Sequence, residues 1–146
     1  MSMTTVRAED RPATAAFAQV VTEIASTGIG FRFQAKGRSM LPTIQDGEIL
    51  HVRPVDPTSI KTGEIVLFCD GDGFKAHRVI RKERRSFITC GDTSAHADGK
   101  IRIDQVVGRV VAKECAASGE IIRLDGIAAW LQFLKFDLRR RVSKIR

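Results

Sequence analysis

Between residues 31 and 124 the sequence is a succession of short apolar runs separated by turn residues, a pattern that leaves room for strands and little else. Phe31, Phe33 and Ala35 alternate with polar neighbours, and Ile49 to Val52 follows the Asp46-Gly47 turn. Pro54, Pro57 and Thr58-Ser59 mark a loop before Gly63-Glu64 introduces the continuous run Ile65 to Phe68. Asp70-Gly71-Asp72-Gly73 is a hairpin signal that returns the chain as Phe74 to Ile80. Ser86 to Thr89, Ile101 to Ile103, Val106 to Ala112 and Ile121 to Leu124 complete the series. Turns at such short intervals predict a mainly β fold, a compact antiparallel barrel or sandwich over residues 31–125.

Helical patterns flank this core. Asp10-Arg11-Pro12 is a plausible start for a helix over 13–27, with Phe17, Val20, Val21 and Ile24 on one face and Gly28 as the stop. Residues 1–12 read as a flexible leader. A second amphipathic helix is expected over 126–142, where Ile127, Trp130, Leu131, Leu134 and Leu138 form one stripe and Phe133 and Phe136 lie well off it. So broad an apolar girth calls for cover on more than one side. Packing against protein is the favoured cover, and a peripheral membrane contact, with Arg139-Arg140-Arg141 toward anionic head groups, is the alternative.

At 146 residues the chain is expected to form a single domain. Its formal charge of +7 comes from two clusters, one around Arg78 to Arg85 and one at the C-terminus. Such clusters are more often solvated faces than nucleic-acid sites, and no aromatic stacking set accompanies them, so no nucleic-acid partner is expected. No run of about 20 apolar residues is present to span a bilayer, and Met1 to Pro12 has no secretory apolar stretch. A cytoplasmic protein without a transmembrane helix is therefore expected, peripherally membrane-associated if the C-terminal helix binds lipid. Cys69, Cys90 and Cys115 fit neither a disulfide framework nor zinc pairs, and Cys90 with His96 falls short of a ligand set. Neither metal nor cofactor is expected.

Three stretches carry candidate chemistry. Gly37-Arg38-Ser39-Met40-Leu41-Pro42-Thr43 places a serine on a corner where Gly37 would let another segment approach and Pro42 stops a helix or strand. His77 lies in a strand, sharing a face with Lys75 and Val79, and could take a proton near neutral pH. Lys75 would need deep burial to do the same. His51 reads as structural and His96 as solvated. The loop Gly91 to Asp98 supplies two carboxylates, Asp92 and Asp98, and a histidine base needs one such acceptor on its other ring nitrogen.

In order, Gly37 to Ile44, Asp46-Gly47-Glu48, Gly63 to Phe68, His77-Arg78-Val79-Ile80, Gly91-Asp92 and Val106-Val107-Gly108-Arg109-Val110 resemble the type I signal peptidases and their relatives, the self-cleaving repressor peptidases. The resemblance runs from about Gly37 to Val111. A histidine where most bacterial members carry lysine resembles the Ser-His branch. This implies Ser39 as nucleophile, His77 as general base and Asp98 as the catalytic aspartate. Met40, Gly37 and Asp92 become supporting or oxyanion positions, with Gly37 standing where many signal peptidases carry a hydroxyl donor. The implied function is a serine endopeptidase that cuts an extended peptide or preprotein, as in signal-peptide or leader-peptide processing. The alternative is a non-catalytic peptide-binding module on the same fold.

Overall fold

The computed structural model describes residues 5, 6, 19, 23–71 and 73–143. Among them, nine strands join in one sheet. They are β1 (Thr5–Val6), β2 (Phe31–Gln34), β3 (Ile49–Arg53), β4 (Ile65–Asp70), β5 (Gly73–Lys82), β6 (Ser86–Cys90), β7 (Lys100–Arg102), β8 (Val106–Glu114) and β9 (Ile121–Arg123), followed by the helix α1 (Gly126–Ser143). The spatial order is β1-β2-β3-β8-β4-β5-β6-β7, with β9 added to β8. All pairings are antiparallel except β1 with β2. The fold is mainly β, a curled half-barrel carrying one C-terminal helix, in agreement with the class expected from the turn spacing.

β8 is the spine. Its 109–114 stretch pairs with β3, while its other edge meets β4 at residues 106–109 and β9 at 112–114. Bulges between His51 and Val52, Leu67 and Phe68, and Val79 and Arg81 bend the sheet. At Gly108 a Cβ would lie 2.7 Å from the Arg53 carbonyl oxygen, so β3 and β8 can cross this closely only over glycine. The run Ile65-Val66-Leu67-Phe68 is buried on both faces. Ile65 and Leu67 join Phe31, Phe33, Leu50 and Val110 in one apolar cluster. Val66 and Phe68 join Ile60, Val79, Phe87 and Ile101 in another. Unbroken hydrophobicity, not alternation, is what a strand between two cores requires.

The leader over 1–12 contains β1, a Thr-Val pair of the β-favouring type that extends the sheet beyond β2. The helix over 13–27 lies mostly outside the described residues; residues 23–26 are helical and the chain turns at Gly28, φ +74°. In α1 the residues off the sequence stripe are the ones that pack inward. Ala129 and Phe136 are buried and Phe133 sits over Gly63, where a Cβ would meet its Cβ at 2.8 Å. The stripe itself faces outward, with Ile127 at 79% and Leu138 at 63% exposure. Among the described residues, no helix is long and apolar enough to cross a membrane.

Candidate active site

The turn after β2 is pinned at three points. Gly37, at φ +97°, donates its N–H to Asp46 Oδ1 at 2.7 Å. Met40 and Ile44, one helical turn apart, are both buried in the core, and the Ile44 N–H donates to the Met40 carbonyl at 2.9 Å. From the other side the Gly91 loop closes on the serine: the Thr93 N–H donates to the Ser39 carbonyl at 3.0 Å and Thr93 Oγ1 to the Arg38 carbonyl at 3.1 Å. The close approach expected at Gly37 occurs instead at Gly91. A Cβ there would lie 2.7 Å from the Ser39 oxygen, whereas at Gly37 it would meet nothing within 4 Å. Gly37 is required by its positive φ alone.

Held in this way, Ser39 Oγ lies 2.9 Å from His77 Nε2, and His77 Nδ1 lies 2.6 Å from Asp98 Oδ2. The imidazole is nearly enclosed, its side chain 7% exposed, and the Phe68 ring meets it edge-on at 6.2 Å. Asp98 is fixed through its backbone and its side chain, because its N–H donates to the Thr89 carbonyl at 2.9 Å and Thr89 Oγ1 donates to Oδ2 at 2.8 Å. Burial pushes the Asp98 carboxyl up, but hydrogen bonds from His77 and Thr89 outweigh it and hold the group below its ordinary 3.8. An ionised Asp98 can only accept, so Nδ1 carries the proton and Nε2 offers its lone pair to the Ser39 hydroxyl. Lys75, the other candidate base, donates to Asp70 at 3.0 Å, and that bond raises its pKa. It stays protonated.

Ser39, His77 and Asp98 open onto a cleft of about 520 Å³ whose walls include Phe33, Ile44, Leu50 and Phe74. Asp92 stands apart from them. Its Oδ1 and Oδ2 accept from Arg78 Nε and Nη2, each at 2.8 Å, and Oδ2 also accepts from Thr43 Oγ1 at 2.7 Å. Arg78 Nη1 donates to the Gly63 carbonyl at 2.8 Å. Its side chain is 0% exposed. Asp92 therefore ties the far end of the serine turn to β5 without contacting the imidazole. Of the expected supporting positions, Gly37 spends its N–H on Asp46, while the Ser39 and Met40 N–H groups make no hydrogen bond among the described residues. Thr89, Thr43 and Arg78 escape sequence reasoning because their partners lie 9 to 49 residues away, and nothing local marks them.

His51 is part of a separate polar cluster. Its Nε2 lies 2.9 Å from Glu114 Oε1, and Arg32 donates to the other oxygen at 2.7 Å. These bonds hold the Glu114 carboxyl below its ordinary 4.5. Burial pushes Glu48 up, but the Gln45 N–H and Lys113 outweigh it, so that this carboxyl too is lowered. With Asp98, three carboxyls thus stay ionised in the native state at a pH where an unfolded chain binds protons. Their contribution is complete above about pH 4.5 and disappears as pH falls through the lower native values. Acidification from about pH 5 to about pH 3 should therefore lower the melting temperature. Glu48→Gln should melt lower at neutral pH and show a shallower acid slope; an unchanged slope would remove Glu48 from this account.

No curated protein matches the chain. The model of the family described as Peptidase S24-like matches residues 10–114, well over half of the sequence and all of the elements that bring Ser39, His77 and Asp98 together. This supports the wider superfamily indicated by the sequence motifs without selecting its signal-peptidase branch. A half-barrel that joins a serine turn, a strand histidine and a loop aspartate thus agrees with the sequence match, and the chain belongs to the Peptidase S24-like family.

Proposed function

We propose that the protein is a serine endopeptidase in which Ser39 is the nucleophile, His77 the general base and Asp98 its orienting partner. The observation that carries this is the unbroken hydrogen-bonded line from the Ser39 hydroxyl through both ring nitrogens to the Asp98 carboxylate. As Ser39 Oγ bonds to the scissile carbonyl carbon, its proton passes to His77 Nε2 and Asp98 stabilises the imidazolium. The tetrahedral intermediate collapses by breaking the C–N bond, and Nε2 returns the proton to the leaving amine. Water, deprotonated by the same nitrogen, then attacks the acyl carbon; the C–Oγ bond breaks, Nε2 returns its proton to Ser39 and the acid is released. The N–H groups of Ser39 and Met40 are the donors available to the oxyanion, since the Gly37 N–H is engaged by Asp46. The apolar walls of the cleft, Phe33, Ile44, Leu50 and Phe74, suit an extended peptide with apolar side chains beside the cut, as in signal-peptide or leader-peptide processing.

A serine-directed phosphonylating probe should modify the wild-type protein at Ser39, and Ser39→Ala should remain unmodified while melting within a few degrees of wild type. An inert wild-type protein, or labelling that survives Ser39→Ala, would overturn the assignment.

A further inference from the structure

Beyond the loop that clamps Ser39 lies a second groove of about 640 Å³. One wall is Thr43, Thr93 and Ser94; the other is α1, through Lys135, Phe136 and Arg139. Ser94 also lines the catalytic cleft, so the two depressions meet at that residue. The carboxylate within the groove, Asp92, is neutralised by Arg78. Asp137 of the same helix is taken by Arg141 at 2.8 Å. Lys135 and Arg139, four residues apart and both exposed, have no acidic partner among the described residues. The groove is therefore positively charged along its α1 wall, where the buried Phe136 lies beside the cations, and it meets the catalytic cleft at Ser94.

We infer that this groove receives acidic side chains of the peptide whose scissile bond lies at Ser39, making Lys135 and Arg139 determinants of specificity. The inference rests on the peptidase reading and gives it a substrate class: peptides with aspartate or glutamate a few residues from the cut. An extended chain advances about 3.3 Å per residue, and Ser94, which lines both depressions, is where one leaving the cleft would pass into the groove. Two exposed cations beside a carboxylate already neutralised by Arg78 discriminate by charge more than by shape.

Binding of a fluorescein-labelled glutamate-rich decapeptide to the Ser39→Ala protein, followed by anisotropy, tests this without requiring turnover. Lys135→Glu/Arg139→Glu should weaken binding at least about tenfold and favour a lysine-rich decapeptide instead. Arg84→Glu/Arg85→Glu, which changes the net charge equally at the exposed β5–β6 turn, should leave binding nearly unchanged. Equal losses in both charge reversals, or an affinity for a single-stranded oligonucleotide of the same charge that matches the peptide's, would overturn the assignment. Wild-type protein inert to the phosphonylating probe, together with the expected binding pattern, would instead defeat the peptidase reading and leave the groove as an acidic-peptide site.

Discussion

His77→Ala is expected to slow peptide cleavage by roughly 10⁴-fold or more while leaving the fold intact, and Ser39→Ala/His77→Ala should be no slower than either single variant. The reason is geometric. Ser39 Oγ is 2.9 Å from Nε2, and among the described residues no other side chain hydrogen-bonds to that hydroxyl. Lys75 cannot substitute, because Asp70 keeps it protonated. Groups that act as one unit lose their function together, so the second substitution has nothing left to remove. Measured turnover of any cleaved peptide, with circular dichroism as the folding control, decides it. A loss of only a few-fold in His77→Ala would mean that the proton leaves Ser39 by another route.

Arg78→Leu is expected to destabilise the protein by about 3–5 kcal/mol, the range for removing one partner of a buried ion pair. The guanidinium is fully enclosed, holds both oxygens of Asp92 and donates to the Gly63 carbonyl. Its loss leaves a buried carboxylate with Thr43 as its remaining partner and a backbone acceptor unmet. Arg78→Lys should recover only part of the loss, since an ammonium cannot supply the paired, planar donors. The difference is read as a shift of the urea midpoint at constant slope. A shift below about 1 kcal/mol would place this cluster among ordinary surface pairs.

Much of this arrangement is legible along the chain because it is written in short-range signals. The Asp70–Gly73 turn, the doubly buried run Ile65 to Phe68 and the exposed corner around Ser39 each announce themselves within a few residues. The β5 histidine and the Gly91 to Asp98 loop gain meaning from their order along the chain. What stays hidden depends on pairings across the sheet. Glu114 reaches His51 only because β8 pairs with β3, across 63 residues of sequence. Gly91 and Gly37 look alike in sequence, and only the loop packed on Ser39 shows which of them needs the missing side chain. In α1, periodicity identifies two apolar faces but cannot say which one meets the sheet; Gly63, far upstream, decides that in favour of Phe133.

Adjacent residues of β5 point to opposite sides: His77 toward the serine hydroxyl, and Arg78 toward the carboxylate and hydroxyl that tether the same turn from behind. A shear or tilt of this one strand therefore carries His77 and the anchor of the Ser39 turn along in step, like two pegs on a single bar. Alignment survives small distortions of the sheet. It fails when β5 detaches, so heat should extinguish the proposed peptidase activity at the temperature where the sheet itself lets go, rather than through gradual loosening of the Ser39 corner.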